Sequence, residues 1–216
     1  MSMSIAKLSK PEVVGVYSQT AFIYDVWGRL TETTARQRSL TLAQIRDGEA
    51  VLEVAVGTGL TFQEILHANP HGTNLGIDLT PAMLAQAKRK AAKREMAAYT
   101  LSVGDAYHLP VSDHQCDIVI NNYMFDLLPE ADFPVVLREF QRVLKPGGRI
   151  VLVNMTKAEH VHQHVWEAIY HLNPTWLGGC RGVVIAPVMQ AMGFTDIHRE
   201  TVSQLGFPSE IITARV

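Results

Sequence analysis

Val51-Leu52-Glu53-Val54-Ala55-Val56-Gly57-Thr58-Gly59 is the stretch on which the reading of this chain turns. Val51, Leu52, Val54 and Val56 suit a strand buried on both faces. Gly57 and Gly59 let the backbone turn tightly and let a ligand approach the main chain. Leu60 to Leu66 starts a helix whose first amide groups are free to face that ligand. Strand, glycine turn and helix together predict a nucleotide-type site at the carboxyl end of a parallel sheet. A dinucleotide fingerprint asks for a third glycine at position 62, where this chain has Phe62. A carboxylate at Glu53 also repels a pyrophosphate, whereas it suits a ligand carrying an ammonium group.

Downstream, Asn74 to Asp78 reads as a second short strand with an acidic end. Asp78 lies 19 residues beyond Gly59, the distance expected of a residue that accepts from a ribose hydroxyl pair. Pro81 opens the next helix with Thr80 as its candidate cap. Lys88, Arg89, Lys90, Lys93 and Arg94 form a solvated face or a phosphate or lipid-headgroup contact. Tyr99 to Val103 is a third strand followed by Gly104-Asp105-Ala106, and Asp105 is either a turn aspartate or an acceptor for a purine amino group. Cys116 to Ile120 is a fourth strand opening into Asn121-Asn122-Tyr123. Phe133, Val136, Leu137, Phe140 and Val143 define an amphipathic helix closed by Lys145-Pro146-Gly147-Gly148, and Ile150 to Val153 is a fifth strand. Thr195 to Val202 and Glu210 to Val216 are closing strands, one of them antiparallel, after a short helix from Ala186 to Met192 that Gly193 ends. The alternation predicts an α/β fold: a Rossmann-like, doubly wound, mostly parallel seven-stranded sheet with helices on both faces.

Upstream, residues 12 to 46 carry helical patterning without a strand. Tyr17, Tyr24 and Trp27 fall on one side and either pin an arm to the core or form a lid over a substrate pocket. Thr33 or Thr34 caps a helix running from Ala35 to Ile45. The division is therefore a helical arm or substrate lid over 1–46 and a catalytic domain over 47–216, with 157–192 contributing to the substrate side.

The chain has 216 residues, 47% of them hydrophobic and 19% charged, with a formal net charge of -2. That describes one substantial core and gives no electrostatic support to a nucleic-acid partner. Cys116 and Cys180 have no metal-ligand spacing. No apolar run approaches the ~20 residues of a membrane span, and the start has too short an apolar stretch for a secretory signal. A cytoplasmic protein is expected, with peripheral contact at the inner membrane left open, and the aromatic arm covers either a pocket or a second copy in a homodimer.

The segment after the fifth strand holds four of the nine histidines. His160, His164, Glu167 and His171 share one helical flank, whose ends stand about 16 Å apart at ~1.5 Å per residue. One ion reaches at most His160, His164 and Glu167, and no metal site is assigned. The remaining readings are a surface flank and a proton-handling role beside the substrate.

Four motifs occur in order: Val-Leu-Glu-Val-Ala-Val-Gly-Thr-Gly, Gly-Ile-Asp-Leu-Thr-Pro-Ala-Met-Leu, Gly-Asp-Ala followed by Leu-Pro, and Val-Leu-Lys-Pro-Gly-Gly. Over residues 45 to 156 the chain resembles the class I S-adenosylmethionine-dependent methyltransferases, in the branch of quinone-biosynthesis C-methyltransferases and bacterial phospholipid N-methyltransferases. The resemblance implies S-adenosylmethionine as cofactor. Glu53 with Ala55, Gly57, Thr58 and Gly59 would hold its methionine part and Asp78 its ribose hydroxyls. Leu79 and Ala106 would flank the adenine, Asp105 would bind its amino group, and Asn121 would lie beside the methionine end. Tyr123 would stand beside the transferred methyl. Ala55 replaces the family's usual first glycine, which is tolerable if its dihedrals are ordinary. Tyr24-Asp25 match a pair that often precedes the core and favour the lid.

The acceptor is a small molecule or lipid. Phosphatidylethanolamine-type N-methylation is the first expectation; O- or C-methylation of a quinone-like or small aromatic acceptor is the alternative, as is a non-catalytic S-adenosylmethionine-binding regulator. The sulfonium needs only an aligned nucleophile and exclusion of water. Tyr24, Tyr123, His160 and His164 are the candidate catalytic side chains where a base is needed.

Overall fold

The computed structural model describes residues 28, 30–93, 97–156 and 180–216. Its elements are α1 (Thr33–Ala43), β1 (Ala50–Val54), α2 (Leu60–Ala68), β2 (Thr73–Asp78), α3 (Pro81–Ala91), β3 (Tyr99–Val103), β4 (Cys116–Asn122), α4 (Phe133–Val143), β5 (Leu144–Met155), α5 (Ala186–Ala191), β6 (Thr195–Gln204) and β7 (Phe207–Arg215). The strands form one seven-stranded sheet in the order β3-β2-β1-β4-β5-β7-β6. β1 to β5 pair in parallel, and β7 runs antiparallel to both of its neighbours. The expected fold class is the observed one.

The apolar strand residues divide between two cores. Leu52, Val54, Val119, Leu152 and Ile212 meet Phe133, Val136, Leu137 and Phe140 of α4 on one face. Val51, Ile118, Ile120, Val151 and Ile211 meet Ala35 of α1, Phe62 and Ile65 of α2 and Ala87 of α3 on the other. Phe125 stacks edge-on against Phe133 at 5.3 Å and Phe140 at 5.9 Å, fixing the turn after β4 to α4. Burial on both faces is why these strands read as continuous apolar runs rather than as alternating ones.

Three local expectations are corrected. α1 begins at Thr33 itself, because the Thr34 N–H is capped from β6 by Gln204 Oε1 at 2.7 Å rather than by a neighbouring threonine. β5 begins at Leu144, six residues before Ile150, since Leu144 already pairs with Cys116 across a register irregularity. α3 has Thr80 at its cap position without a side-chain cap bond; Asp78 Oδ1 accepts the Thr80 N–H at 2.8 Å instead. The Tyr17, Tyr24 and Trp27 arm and the His160–His171 flank lie outside the described residues.

Strand order reverses between β1 and β4, which opens a crevice at their carboxyl ends. The β1–α2 loop sits in it with Gly57 at φ 57° and Gly59 at φ 83°. A Cβ on Gly59 would lie 2.8 Å from Ala87 Cα, so the second glycine also sets how closely α2 approaches α3. Ala55 is left-handed as well, at φ 59°. The condition under which its methyl costs nothing is therefore not met, and an L-residue there carries about 1–2 kcal/mol of strain.

Opposite substitutions in this one loop should have opposite effects. Ala55→Gly is expected to stabilise the fold by about 1 kcal/mol. Gly59→Ala is expected to destabilise it by at least about 2 kcal/mol through dihedral strain and helix separation. Urea denaturation of the two variants checks both signs.

Candidate functional site

At the mouth of the crevice lies a cavity of about 280 Å³. One end is formed by Ala55 and Gly57 of the β1–α2 loop, Asp78 and Leu79 after β2, and Asp105 and Ala106 after β3. The other end is formed by Asn122, Tyr123, Met124 and the turn Leu127, Leu128 and Pro129. The sheet brings these together because β1, β2, β3 and β4 all point their carboxyl ends at one rim.

Seven of the sequence-expected cofactor and catalytic residues thus stand on the cavity wall: Ala55, Gly57, Asp78, Leu79, Asp105, Ala106 and Tyr123. Glu53, Thr58 and Gly59 lie behind the wall rather than on it. Asn121 is fully buried, with its Nδ2 donating to the Val54 carbonyl at 2.8 Å, and its neighbour Asn122 is the one that faces the cavity. Side chains alternate along a strand, so one residue of offset changes the face. Asn122, Met83, Met124 and Tyr107 were not singled out from sequence; a polar or thioether side chain at a strand end was the signal available for the first and third. Tyr24, His160 and His164 lie outside the described residues, so the structure does not place them.

Asp78 holds the site together. Its Oδ2 accepts the Gly57 N–H at 2.7 Å and its Oδ1 the Thr80 N–H, so one carboxylate fixes the glycine loop and the start of α3. Burial still raises its pKa, outweighing those bonds. Glu53 is 1% exposed, and burial drives its carboxyl well above the usual range despite bonds from Thr61 and Asn122. Asp78 adds to the rise by like charge. Glu53 Oε2 and Asn122 Oδ1 are buried without a partner among the described residues. These two oxygens lack donors, which is what the ammonium and hydroxyls of S-adenosylmethionine would bring. The residues present fit that cofactor. Tyr107 N–H donates to Asp105 Oδ1 at 3.1 Å and its hydroxyl to Asp132 Oδ2 at 2.7 Å, closing the rim beside the β3 loop.

Tyr123 is held in a strained conformation, at φ 53°. Its N–H donates to the Val153 carbonyl at 2.6 Å, and its hydroxyl shares a 2.7 Å hydrogen bond with Ser209 Oγ. Its ring lies 6.2 Å from that of Phe207. Burial, with Glu32 close by, pushes the phenol well above its ordinary value. At neutral pH the hydroxyl keeps its proton, so Tyr123 serves as wall and hydrogen-bond partner rather than as a phenolate base.

Residues 51–148 match the family described as Methyltransferase domain. An arsenite methyltransferase of Halobacterium salinarum is 31% identical over 139 residues, which is 64% of this chain and 34% of that protein, so this chain spans about a third of its length. A demethylmenaquinone methyltransferase of Lactobacillus johnsonii is 28% identical over 177 residues, 79% of this chain and 72% of that one. The crystal structure of a SAM dependent methyltransferase from Aquifex aeolicus shares the fold with a TM-score of 0.64 at 16% identity, over 97% of this chain and 100% of that chain.

Two outcomes follow from the geometry of the acids. Asp78→Asn replaces one of two carboxylate acceptors with a donor facing a main-chain N–H. It is expected to weaken S-adenosylmethionine binding by about tenfold and to lower thermal stability as well, as calorimetry and a melting curve would show. Glu53, Asp78, Asp126 and Glu32 all have folded-state values raised by burial, the last two to about 7 and about 8. The folded protein therefore keeps protons that the unfolded chain releases above its ordinary carboxylate range. Stability present near pH 4 is lost as pH rises through about 8. The melting temperature without cofactor is expected to fall by at least about 5 °C between pH 5 and pH 8, and Glu32→Gln to reduce that fall.

Proposed function

Because the chain belongs to the class I S-adenosylmethionine-dependent methyltransferases, we propose that its acceptor is a hydroxylated, quinone-like aromatic methylated on carbon or oxygen. The observation that carries this reading is the far end of the cavity. Met124, Leu127, Leu128 and Pro129 offer an apolar wall, while the Tyr123 phenol and the Asn122 amide supply polar contacts at its edge. A flat ring with one or two hydroxyls matches that combination of apolar area and few polar groups. The demethylmenaquinone methyltransferase relative supports it by its name.

When bound, S-adenosylmethionine supplies a sulfonium methyl carbon that an electron-rich acceptor atom takes. The chain's own residues bind and orient. Asn122 would meet the ammonium from the cavity wall, with the Glu53 carboxyl buried behind it. Asp78 would accept from the ribose hydroxyls while continuing to hold Gly57. The Ala55–Gly59 turn lets the ligand lie against main chain, and Tyr123 fixes the acceptor ring at the open end.

Relatives of this name fit the quinone-like alternative rather than phosphatidylethanolamine-type N-methylation, the first expectation from sequence. The arm residues that suggested a lipid lie outside the described ones. No helix among the described residues is long and apolar enough to cross a membrane. Arsenite fits poorly too. Cys116 and Cys180 are both buried, and burial beside Asp117 pushes the Cys116 thiol up to about 12, far from the thiolate that arsenic would need.

The test offers the protein labelled S-adenosylmethionine with either a reduced alkyl dihydroxynaphthalene or phosphatidylethanolamine vesicles. Label is expected in the dihydroxynaphthalene and absent from the lipid. Label in the lipid headgroup alone would overturn the quinone-like reading.

A further inference from the structure

A side-chain bond between two of its own wall residues closes the outer lip of the cavity. Tyr107, in the loop after β3, donates its hydroxyl to Asp132 Oδ2 at 2.7 Å, and both residues line the cavity. Both are half-buried, whereas Asp78, Met83, Tyr123 and Met124 deeper in the same wall are buried. The Tyr107 main chain is held too, its N–H donating to Asp105 Oδ1 at 3.1 Å. Further along, the loop is fastened to α4 at separate points. Glu139 Oε2 accepts the Leu109 N–H at 2.9 Å, and Arg142 donates to the Leu109 and Val111 carbonyls at 3.1 and 2.8 Å. Those residues do not line the cavity, so the Tyr107 bond is the rung nearest to it. It can break while the rest of the loop stays in place.

Asp132 has left a more usual partner to make this bond. It stands at the N-cap position of α4, where an aspartate ordinarily accepts from the second or third N–H of the helix. Here its side chain makes no cap bond. Pro134 has no N–H, which leaves Val135 as the donor such a cap would take. One carboxylate therefore has two partners to choose between, the Tyr107 hydroxyl and the first turn of α4. The space behind the lip is also small for what it must hold. Its volume of about 280 Å³ falls just short of the ~300–1,000 Å³ of small-ligand sites. A cofactor with adenine, ribose and methionine parts must fit there with an acceptor beside it, so entry calls for the lip to widen. We propose that Tyr107 and Asp132 form a clasp that opens to admit and release S-adenosylmethionine, Asp132 passing from the Tyr107 hydroxyl to the first turn of α4 as it opens. This rests on the cofactor and not on the identity of the methyl acceptor.

The exchange of partners keeps the opening barrier low. Breaking a half-exposed bond from a phenol to a carboxylate lowers the open population by about tenfold, and a new cap on α4 offsets part of that. Desolvation and the Asp132 carboxylate hold the Tyr107 phenol above its ordinary value, so the hydroxyl stays a donor at neutral pH. The Tyr107 ring packs against the core beneath the rim, so Tyr107→Phe keeps the wall and removes the bond alone. Kinetics separate a clasp from a ligand contact. A contact made to the bound ligand slows only its exit. A bond between two parts of the wall, made with the ligand in or out, slows entry and exit alike and leaves the affinity nearly unchanged. Tyr107 and Asp132 are positioning residues in this scheme.

The experiment immobilises the full chain and measures association and dissociation rates of S-adenosylhomocysteine by surface plasmon resonance, with calorimetry for the affinity. Tyr107→Phe is expected to raise both rates about tenfold and to leave Kd within about threefold of wild type. Asp132→Ala should do the same. The double variant should go no further than either single one, since all three lack the same bond. Asp132→Asn, whose amide oxygen still accepts from Tyr107, should fall between. A structural defect would not give this pattern, because a partly unfolded population lowers the apparent association rate rather than raising it. If Tyr107→Phe raises the dissociation rate alone, Tyr107 is a contact of the ligand and the clasp is overturned. Rates that both stay at the wild-type values would overturn it as well, as would additive effects in the double variant.

Discussion

The main-chain N–H of Gly57 has the Asp78 carboxylate as its partner, and much of the site depends on that bond. It crosses from β2 to the turn that follows β1, so it can form only when the parallel register places those strand ends side by side. It then does two things at once. It compensates an otherwise orphaned donor in a left-handed turn, and it leaves a buried carboxylate poised at the cavity wall. The cost of burying that charge appears as a raised pKa. The carboxylate that fixes the turn is thus also part of the cavity wall, so the fold and the cavity draw on the same atoms.

A second constraint concerns hydrogen-bond supply. Of the seven buried side-chain atoms without partners among the described residues, six are oxygens: those of Glu32, Glu53, Asn121, Asn122, Asp126 and Asn154. Native interiors usually satisfy such atoms, so a surplus of acceptors on one side of a molecule marks where donors arrive from outside. Asn122 lines the cavity and Glu53 lies behind its wall, whereas Glu32 stands at the entry to α1 and Asp126 in the turn after β4.

The sequence made the sheet legible because strands buried on both faces leave unbroken runs of Val, Ile and Leu, as in Val51–Val54 and Cys116–Ile120. The start of β5 was hidden because Lys145-Pro146-Gly147-Gly148 has turn chemistry, although Leu144 ahead of it already pairs with Cys116. Tertiary pairing overrode local propensity there. Asp78 and Asp105 stand on the cavity wall, as their places at or just after strand ends led one to expect, whereas Glu53 lies inside β1 and behind that wall. Asn121 and Asn122 were not separable, since a polar pair at a strand exit does not say which member faces the ligand. The dihedral of Ala55 was equally hidden: an alanine looks harmless in sequence, and only the backbone shows that it occupies a glycine's conformation. Glu32 and Asp126 look like ordinary solvated acids in sequence. Their burial comes from α1 lying over the sheet and from Phe125 drawing the turn inward, both consequences of long-range packing.

These facts separate the site into a half that is constrained and a half that is free to vary. The cavity end at the β1, β2 and β3 termini is built largely from main chain and from the Asp78 and Asp105 carboxylates, so changing it disturbs the sheet itself. The other end is lined by Tyr123, Met124, Leu127, Leu128 and Pro129 in the turn after β4, outside the strands of the sheet. Substitutions there can alter size and polarity without touching Gly57 or Asp78. Tyr123 joins the two halves: its backbone is pinned to β5 through Val153 and its hydroxyl to β7 through Ser209. A bulky residue held in a left-handed conformation by two such bonds resists displacement, and so fixes that part of the cavity wall. The turn after β4 can then vary in size and polarity while Tyr123 keeps its place in the cavity wall.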